Sequence, residues 1–390
     1  MFFYISKQEK HNFPYNHKTK NFVISLDEGW TKCQIDDKII WHKGYLDVGI
    51  LSDCINDIIN ESSPTYSGNF CVIKVDKYGV SIYSDKTRSF PIWYNRLYGI
   101  TNLTNIGQIC WADSYISINN AMVLTYNTFD AIGDISAEPV TLEYVINAID
   151  NKLQFKVSQF CSNQTVPLRV FLSGGADTTL LYSYIQKYST NYELIKYNHT
   201  DHDFFYLKNH GTLKDYWGYQ QIHHWIEPCV LASGAPGDEF TLRNPRTADI
   251  LLRYHGTSFI EIMNDPGLIN SLNYQTFLKY YNNWNPIKCS TGTLIDSIKE
   301  CCNIHLNDWQ HWHIGNTLTW TPFRDLEILK LIARLSLDDL KDQLMNSKIQ
   351  LELIQRNNPN LLTYMSTNKN FSNYLENLTN LYYPILTSKT

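Results

Sequence analysis

Residues 166–188 read VPLRVFLSGGADTTLLYSYIQKY, and a strand, a turn and a helix follow one another within them. Val170, Phe171 and Leu172 form a short apolar run that reads as a buried parallel strand. Leu180, Leu181, Tyr184, Ile185 and Tyr188 fall on one face at helical spacing. Between them lies Ser173-Gly174-Gly175-Ala176-Asp177-Thr178-Thr179. Glycine lets a backbone bend sharply and approach a ligand without a Cβ in the way. The turn then presents free N–H groups at a helix N-terminus, which favours a phosphate chain. Ser173, Thr178 and Thr179 add hydroxyls, and Asp177 adds a carboxylate able to hold Mg²⁺ on phosphates.

No Gly-Lys-Ser/Thr follows the turn, so it is not a Walker P-loop. It resembles instead the pyrophosphatase loop, Ser-Gly-Gly-x-Asp-Ser/Thr, of enzymes that split ATP into AMP and pyrophosphate. Taken alone, the segment also reads as an ordinary turn and N-cap. A second glycine-rich bend follows at Cys229–Arg243, CVLASGAPGDEFTLR. A short apolar strand there runs into Ser233-Gly234-Ala235-Pro236-Gly237-Asp238-Glu239. This resembles the Ser-Gly-x-Gly-x-Asp-Glu motif of asparagine synthetases. Two acidic bends about 60 residues apart are harder to obtain by chance than one.

The N-terminal third carries a further resemblance. Gly68, Phe70, Ser84-Asp85, Arg88, Pro91 and Trp93-Tyr94 fall in the pattern at the centre of the class II glutamine amidotransferase domain of the same family. Phe70, Val72 and Val75, then Val80, Ile82 and Tyr83, are strand material around a hairpin turn at Lys77-Tyr78-Gly79. Asn21–Ser25 and Lys38–Trp41 read as strands, and Asp53 to Ile59 as a helix. The family's glutaminase nucleophile is an N-terminal cysteine whose own amine is the base. Residue 2 here is Phe2 and the nearest cysteine is Cys33. The resemblance therefore implies a domain that does not hydrolyse glutamine, as in the branch that forms β-lactams and lasso peptides.

Thr141 reads as an N-cap for a helix with Val145, Ile146, Ile149, Leu153 and Phe155 on its apolar face. Glu193–Tyr197 reads as the next parallel strand, with Asn198 at its carboxyl end, where ligands bind in doubly wound sheets. Trp320-Thr321-Pro322-Phe323-Arg324-Asp325 resembles the family's Arg-x-Pro-Phe-Leu-Asp segment, with Trp320 in place of the first Arg. A helix with Leu326, Leu329, Ile332 and Leu335 follows. The run Ser347–Ile354, with Lys348 and Leu351, resembles the family's Lys-x-x-Leu-Arg, whose lysine reaches the α-phosphate. A cation is needed there because negative charge builds on phosphorus and the leaving group. Without the family, Lys348 reads as a surface lysine. The tail Asn357–Thr390 is Asn-rich and weakly patterned, with one helix expected near Phe371 to Leu381.

Composition narrows the class. The chain has 390 residues, enough for about two or three domains. Its formal net charge of −5 argues against nucleic-acid binding as its main task. Nine cysteines without a C-x-x-C pair suit reduced thiols better than a disulfide framework. The run Asn198–Asp203 and the cluster Trp309, His311, Trp312 and His313 lack the spacing of a transition-metal site. No signal-like segment and no apolar run of roughly 18 residues is present, so a soluble, cytoplasmic protein is expected.

The expected fold is α/β. An Ntn-like αββα sandwich over residues 1–125 and a linker at 126–140 lead into a doubly wound parallel-sheet domain with a helical C-terminal layer over 141–390. The resemblance implies an ATP-dependent ligase of the asparagine synthetase type. It adenylates a carboxylate and passes the acyl group to ammonia or an amine. Leu172, Ser173, Gly174, Gly175, Asp177, Thr178, Asn198 and Gly234 would hold ATP, and Asp177 and Asp238 would bind Mg²⁺. Lys348, Asp238 and Glu239 would carry catalysis. A homodimer is compatible with this reading, and a membrane or nucleic-acid partner is not expected. At the third motif position asparagine synthetases carry Glu and β-lactam synthetases Tyr, whereas this chain has Ala235. Glu239 or Glu261 are candidate substitutes. Two alternatives stay open: a lapsed nucleotide-binding scaffold, and a related enzyme adenylating a nucleobase or carbonyl oxygen.

Overall fold

The computed structural model describes residues 3–6, 14–60, 65–87, 92–97, 100–104, 110–112, 115–120, 123–126, 138–172, 174–196, 228–234, 237–241 and 317–365. Ser173, Asn198, Ala235, Glu261, the His- and Asp-rich run 198–203, the cluster 309–313 and the helix expected near 371–381 lie outside them. The side chains of Asp238 and Glu239 do so too.

The N-terminal part is antiparallel. Its strands are β1 (Phe3–Ser6), β2 (Tyr15–Lys18), β3 (Val23–Leu26), β4 (Thr31–Ile35), β5 (Lys38–Leu46), β6 (Gly68–Asp76), β7 (Gly79–Ser84), β8 (Ile92–Leu97), β9 (Ile100–Thr104), β10 (Cys110–Ala112), β11 (Tyr115–Asn119) and β12 (Leu124–Tyr126). They form two six-stranded sheets, ordered β10-β8-β9-β1-β3-β2 and β12-β11-β7-β6-β5-β4. The two faces of the second sheet follow from the two-residue period of a strand. Trp41 pairs with Ile73, and Ile73 with Ile82. These side chains pack with Phe3, Ile5, Ile24 and Leu26 of the first sheet. Alternate residues Ile40, Val72 and Tyr83 face the helix α1 (Leu51–Asn60), burying its Ile55, Ile58 and Ile59. Among the described residues the layers are therefore sheet, sheet and helix. The β6–β7 turn is closed by Asp76, whose Oδ1 accepts from the N–H groups of Tyr78 and Gly79 at 2.8 and 3.1 Å.

The second part begins with α2 (Leu142–Ser162), capped by Thr141, whose Oγ1 accepts from Tyr144 N. Helix α2 leads into β13 (Leu168–Leu172), α3 (Ala176–Tyr188) and β14 (Glu193–Lys196), followed by β15 (Cys229–Ala232), α4 (Gly237–Phe240) and β16 (Thr317–Trp320). Four further helices follow: α5 (Leu326–Ile332), α6 (Leu337–Asn346), α7 (Lys348–Asn357) and α8 (Asn360–Tyr364). The sheet is wholly parallel, in the order β14-β13-β15-β16. A single apolar cluster joins α2, α3 and the later helices to it. Leu168, Val170 and Leu172 of β13 lie in this cluster, while Arg169 between them pairs with Glu193 of β14 at 2.9 Å.

Two expectations about helix faces need correction. Phe155 is 52% exposed, and Val157 takes its place in the core. Leu153, Val157 and Ile149 keep the four-residue spacing that stacks side chains on one face, which Phe155 breaks. Tyr188, at the end of α3, is 37% exposed.

A polar seam joins the two parts. Buried Lys156 of α2 meets Asp47 at 3.0 Å and Asp325 at 3.1 Å. Buried Arg324 donates to the hydroxyl and carbonyl oxygens of Thr87, both at 2.9 Å. Thr321 N donates to the Tyr45 hydroxyl. The segment 320–325 thus docks at the C-terminal ends of β5 and β7, in the second antiparallel sheet.

Candidate functional site

Strands β13 and β15 are parallel neighbours, with Val170 opposite Ala232. The two glycine-rich bends therefore leave the same edge of the sheet side by side. In the first, Gly174 has φ +79, a left-handed conformation that favours glycine. Gly175 caps α3 without a side-chain hydrogen bond, and Asp177 lies in the first helical turn. The first-turn N–H groups and the helix dipole make this end hospitable to negative charge. Thr178 and Thr179 turn their hydroxyls to the Gly175 carbonyl, at 3.1 and 2.8 Å. Leu172 is fully buried in the core.

The second bend lies directly on the first. A Cβ at Gly234 would sit 2.5 Å from Thr178 N and 2.8 Å from Thr178 Cα. One at Gly237 would sit 2.6 Å from both Cβ and Cγ of Asp177. Both glycines are thus needed for close approach, which sequence alone could not attribute to a partner. Asp238 and Glu239 follow in α4, one and two residues beyond the point of contact.

Asp177 is buried, and its carboxylate is held from the far side of the sequence. Gln350 Nε2 donates to Asp177 Oδ1 at 3.0 Å and to Thr241 Oγ1 at 2.5 Å. Gln343 Nε2 donates to Gln350 Oε1 at 2.9 Å and to Thr241 O at 2.7 Å. Gln343 Oε1 accepts from Ile349 N at 2.8 Å, satisfying an otherwise orphaned donor in the first turn of α7. Both glutamines are fully buried. Sequence reasoning missed them, because a glutamine inside a helix carries no motif and no spacing signal. Lys348 stands exposed as the first residue of α7, two positions before Gln350.

Around this centre, Trp320 is buried and stacked on Phe160, with ring centroids 3.8 Å apart and planes 7° apart. Its place at the motif's departure from Arg is therefore a core position. Arg324 lies over the ring of Phe240, 5.8 Å from its centroid, at the end of α4. On the antiparallel side, fully buried Asp85 accepts from Thr87 N at 2.9 Å and from the Thr87 hydroxyl. Cys71 is buried next to it, and burial followed by the Asp85 charge pushes its thiol well above the ordinary range, making it a poor nucleophile.

Among the described residues no group of three or more His, Cys, Asp or Glu gathers to hold a metal. That excludes a dedicated cage built from these residues. The buried carboxylate of Asp177 beside a second acidic bend suits the needs of Mg²⁺, which is held by one or two carboxylates while water and phosphate oxygens supply the rest. No helix among the described residues is long and apolar enough to cross a membrane.

No family model matches the chain. No curated protein matches it. Among solved structures, glutamine phosphoribosylpyrophosphate amidotransferase from B. subtilis, complexed with ADP and GMP, is 9% identical at a TM-score of 0.22. That match covers 60% of this chain and 63% of the other, so the chain spans under two thirds of that relative's length. A structure of the allosteric regulatory enzyme of purine biosynthesis is likewise 9% identical, at a TM-score of 0.24 over 59% of this chain and 68% of that one. Both are distant structural similarities to this mixed α/β chain.

Proposed function

We propose that this chain is an ATP-dependent, AMP-forming C–N ligase of the asparagine synthetase type. The observation that carries the reading is the contact between two acidic bends on adjacent parallel strands, Gly234 and Gly237 against Asp177 and Thr178. In open parallel sheets this carboxyl edge is where ligands bind. In this reading Gly174, Gly175, Thr178 and Gly234, with Ser173 and Asn198, would cradle ATP at the start of α3, and Leu172 would anchor the turn from the core. Asp177 and Asp238 hold Mg²⁺. With Mg²⁺ bound, the charge on the departing pyrophosphate is neutralised. Lys348, at the start of α7, would supply the cation for the α-phosphate, and Glu239 would act next to Asp238. A carboxylate substrate would attack the α-phosphorus and displace pyrophosphate, and ammonia or an amine would then attack the acyl carbon and displace AMP, losing a proton. The chain divides accordingly into an amidotransferase-like part at 1–125, a linker at 126–140 and a synthetase part at 141–390.

Ala235, where family members place Glu or Tyr, favours a second reading, nucleotide binding without ligation. One set of measurements tests both. With an ATP analogue at a hundredfold excess over its dissociation constant, a Mg²⁺-dependent stabilisation of about 2.7 kcal/mol is expected. It is lost in Asp177→Ala and Asp238→Ala. Pyrophosphate release with pools of carboxylic acids supports ligation. Binding without release in any pool leaves only the second reading, and no binding at all refutes both.

A further inference from the structure

We infer that Gln350 is a positioning residue that sets the spacing of the two acidic bends, and so tunes the affinity of the site for Mg²⁺ on the nucleotide. The inference rests on the function proposed above. A single buried amide nitrogen uses both its hydrogens, one on Asp177 Oδ1 of the first bend and one on Thr241 Oγ1 beyond the second. Thr241 Oγ1 donates in turn to Gly237 O at 2.5 Å. Gly237 is the residue where a Cβ would collide with the Asp177 side chain. Asp177, Gln350, Thr241 and Gly237 thus close a ring of contacts, and no bend can shift without breaking one of them.

The orientation of the Gln350 amide is dictated rather than free. The Ile349 N–H must donate, so it selects the carbonyl oxygen of Gln343. The Gln343 NH₂ then faces Thr241 O and Gln350 Oε1. Gln350 is left with its NH₂ towards Asp177 and Thr241. A polarised chain therefore runs from the first turn of α7 to the carboxylate, and it requires Asp177 Oδ1 to be an acceptor. An acceptor oxygen held in one rotamer by a neutral donor keeps the negative charge of the carboxylate for a cation. Partners of this kind, behind a metal ligand, change metal affinity about 10- to 100-fold when removed.

The test uses the full chain and a non-hydrolysable ATP analogue, titrated with Mg²⁺. Gln350→Met keeps the volume and removes both donors. The Mg²⁺ concentration at half-saturation is expected to rise about tenfold or more, with affinity for the metal-free analogue changed less than about threefold. Thr241→Val, which unties only the second bend, is expected to shift the midpoint in the same direction by a smaller factor. It also stands in should Gln350→Met fail to fold. A lowered melting temperature with an unmoved Mg²⁺ midpoint marks a purely structural role and overturns the inference alone. A wild-type chain that binds no nucleotide overturns it together with the proposed function.

Discussion

Replacing Lys156 by Met tests whether the polar seam between the two parts is a stabilising element. The ammonium lies 3.0 Å from Asp47 Oδ2 and 3.1 Å from Asp325 Oδ2, and all three side chains are less than a seventh exposed. Removing one member of a buried charge cluster costs about 3–5 kcal/mol, because the partners stay buried and uncompensated. Here Asp325 keeps Lys152 at 3.7 Å, so the penalty concentrates on Asp47. The lower end, about 3 kcal/mol, is the expectation. For a domain of 150–250 residues that corresponds to a fall of roughly 6–12 °C in melting temperature. Calorimetry and urea unfolding of the full chain measure it. Lys156→Met/Asp47→Asn should cost less than the sum of the single changes by at least about 1 kcal/mol, as expected for groups in direct contact. A single-variant loss below about 1 kcal/mol, or strict additivity in the double variant, refutes the reasoning.

The same seam makes stability depend on pH at both extremes. Burial pulls the Lys156 ammonium down, but Asp47 and Asp325 more than offset it and leave its pKa raised. Burial likewise works against the Asp325 carboxylate, yet Lys156 and Lys152 leave its pKa lowered. Stability from Asp325 is therefore present above about pH 4 and is lost as pH falls through its lowered value, whereas that from Lys156 is present below about pH 10 and is lost as pH rises through its raised value. Unfolding followed against pH should show both flanks shrink in Lys156→Met, and unchanged flanks would count against the pairing. Gly234→Ala places a methyl group 2.5 Å from the backbone nitrogen of Thr178. Overpacking of this kind costs about 1–3 kcal/mol, and here it also prises the bends apart, so analogue binding should fall at least tenfold. Calorimetric binding within twofold of wild type would show that the contact is not required.

Much of the architecture was legible because its signals are local. The apolar run at 170–172, the glycine pair after it and the Thr141 cap each depend on a few adjacent residues. They reappear as β13, the Gly174 turn and the start of α2. The hairpin at Lys77–Tyr78 and the helix around Asp53–Ile59 were equally plain, although β5 runs on to Leu46, beyond the expected Trp41. Phe155 misled because it is apolar but stands two residues from both Leu153 and Val157, which puts it on the opposite side of the helix.

Sequence alone determined that this chain carries two glycine-rich acidic bends, each between an apolar strand and a helix, because backbone freedom and charge are properties of the residues themselves. Tertiary structure alone decided that the bends touch, that Gln350, itself held by Gln343, reaches Asp177 from the far end of the chain, and that Lys156 and Arg324 lock one part to the other. The physical reason is that a buried hydrogen bond or ion pair is chosen by geometry and desolvation between distant segments, and neither leaves a period or a spacing in the chain.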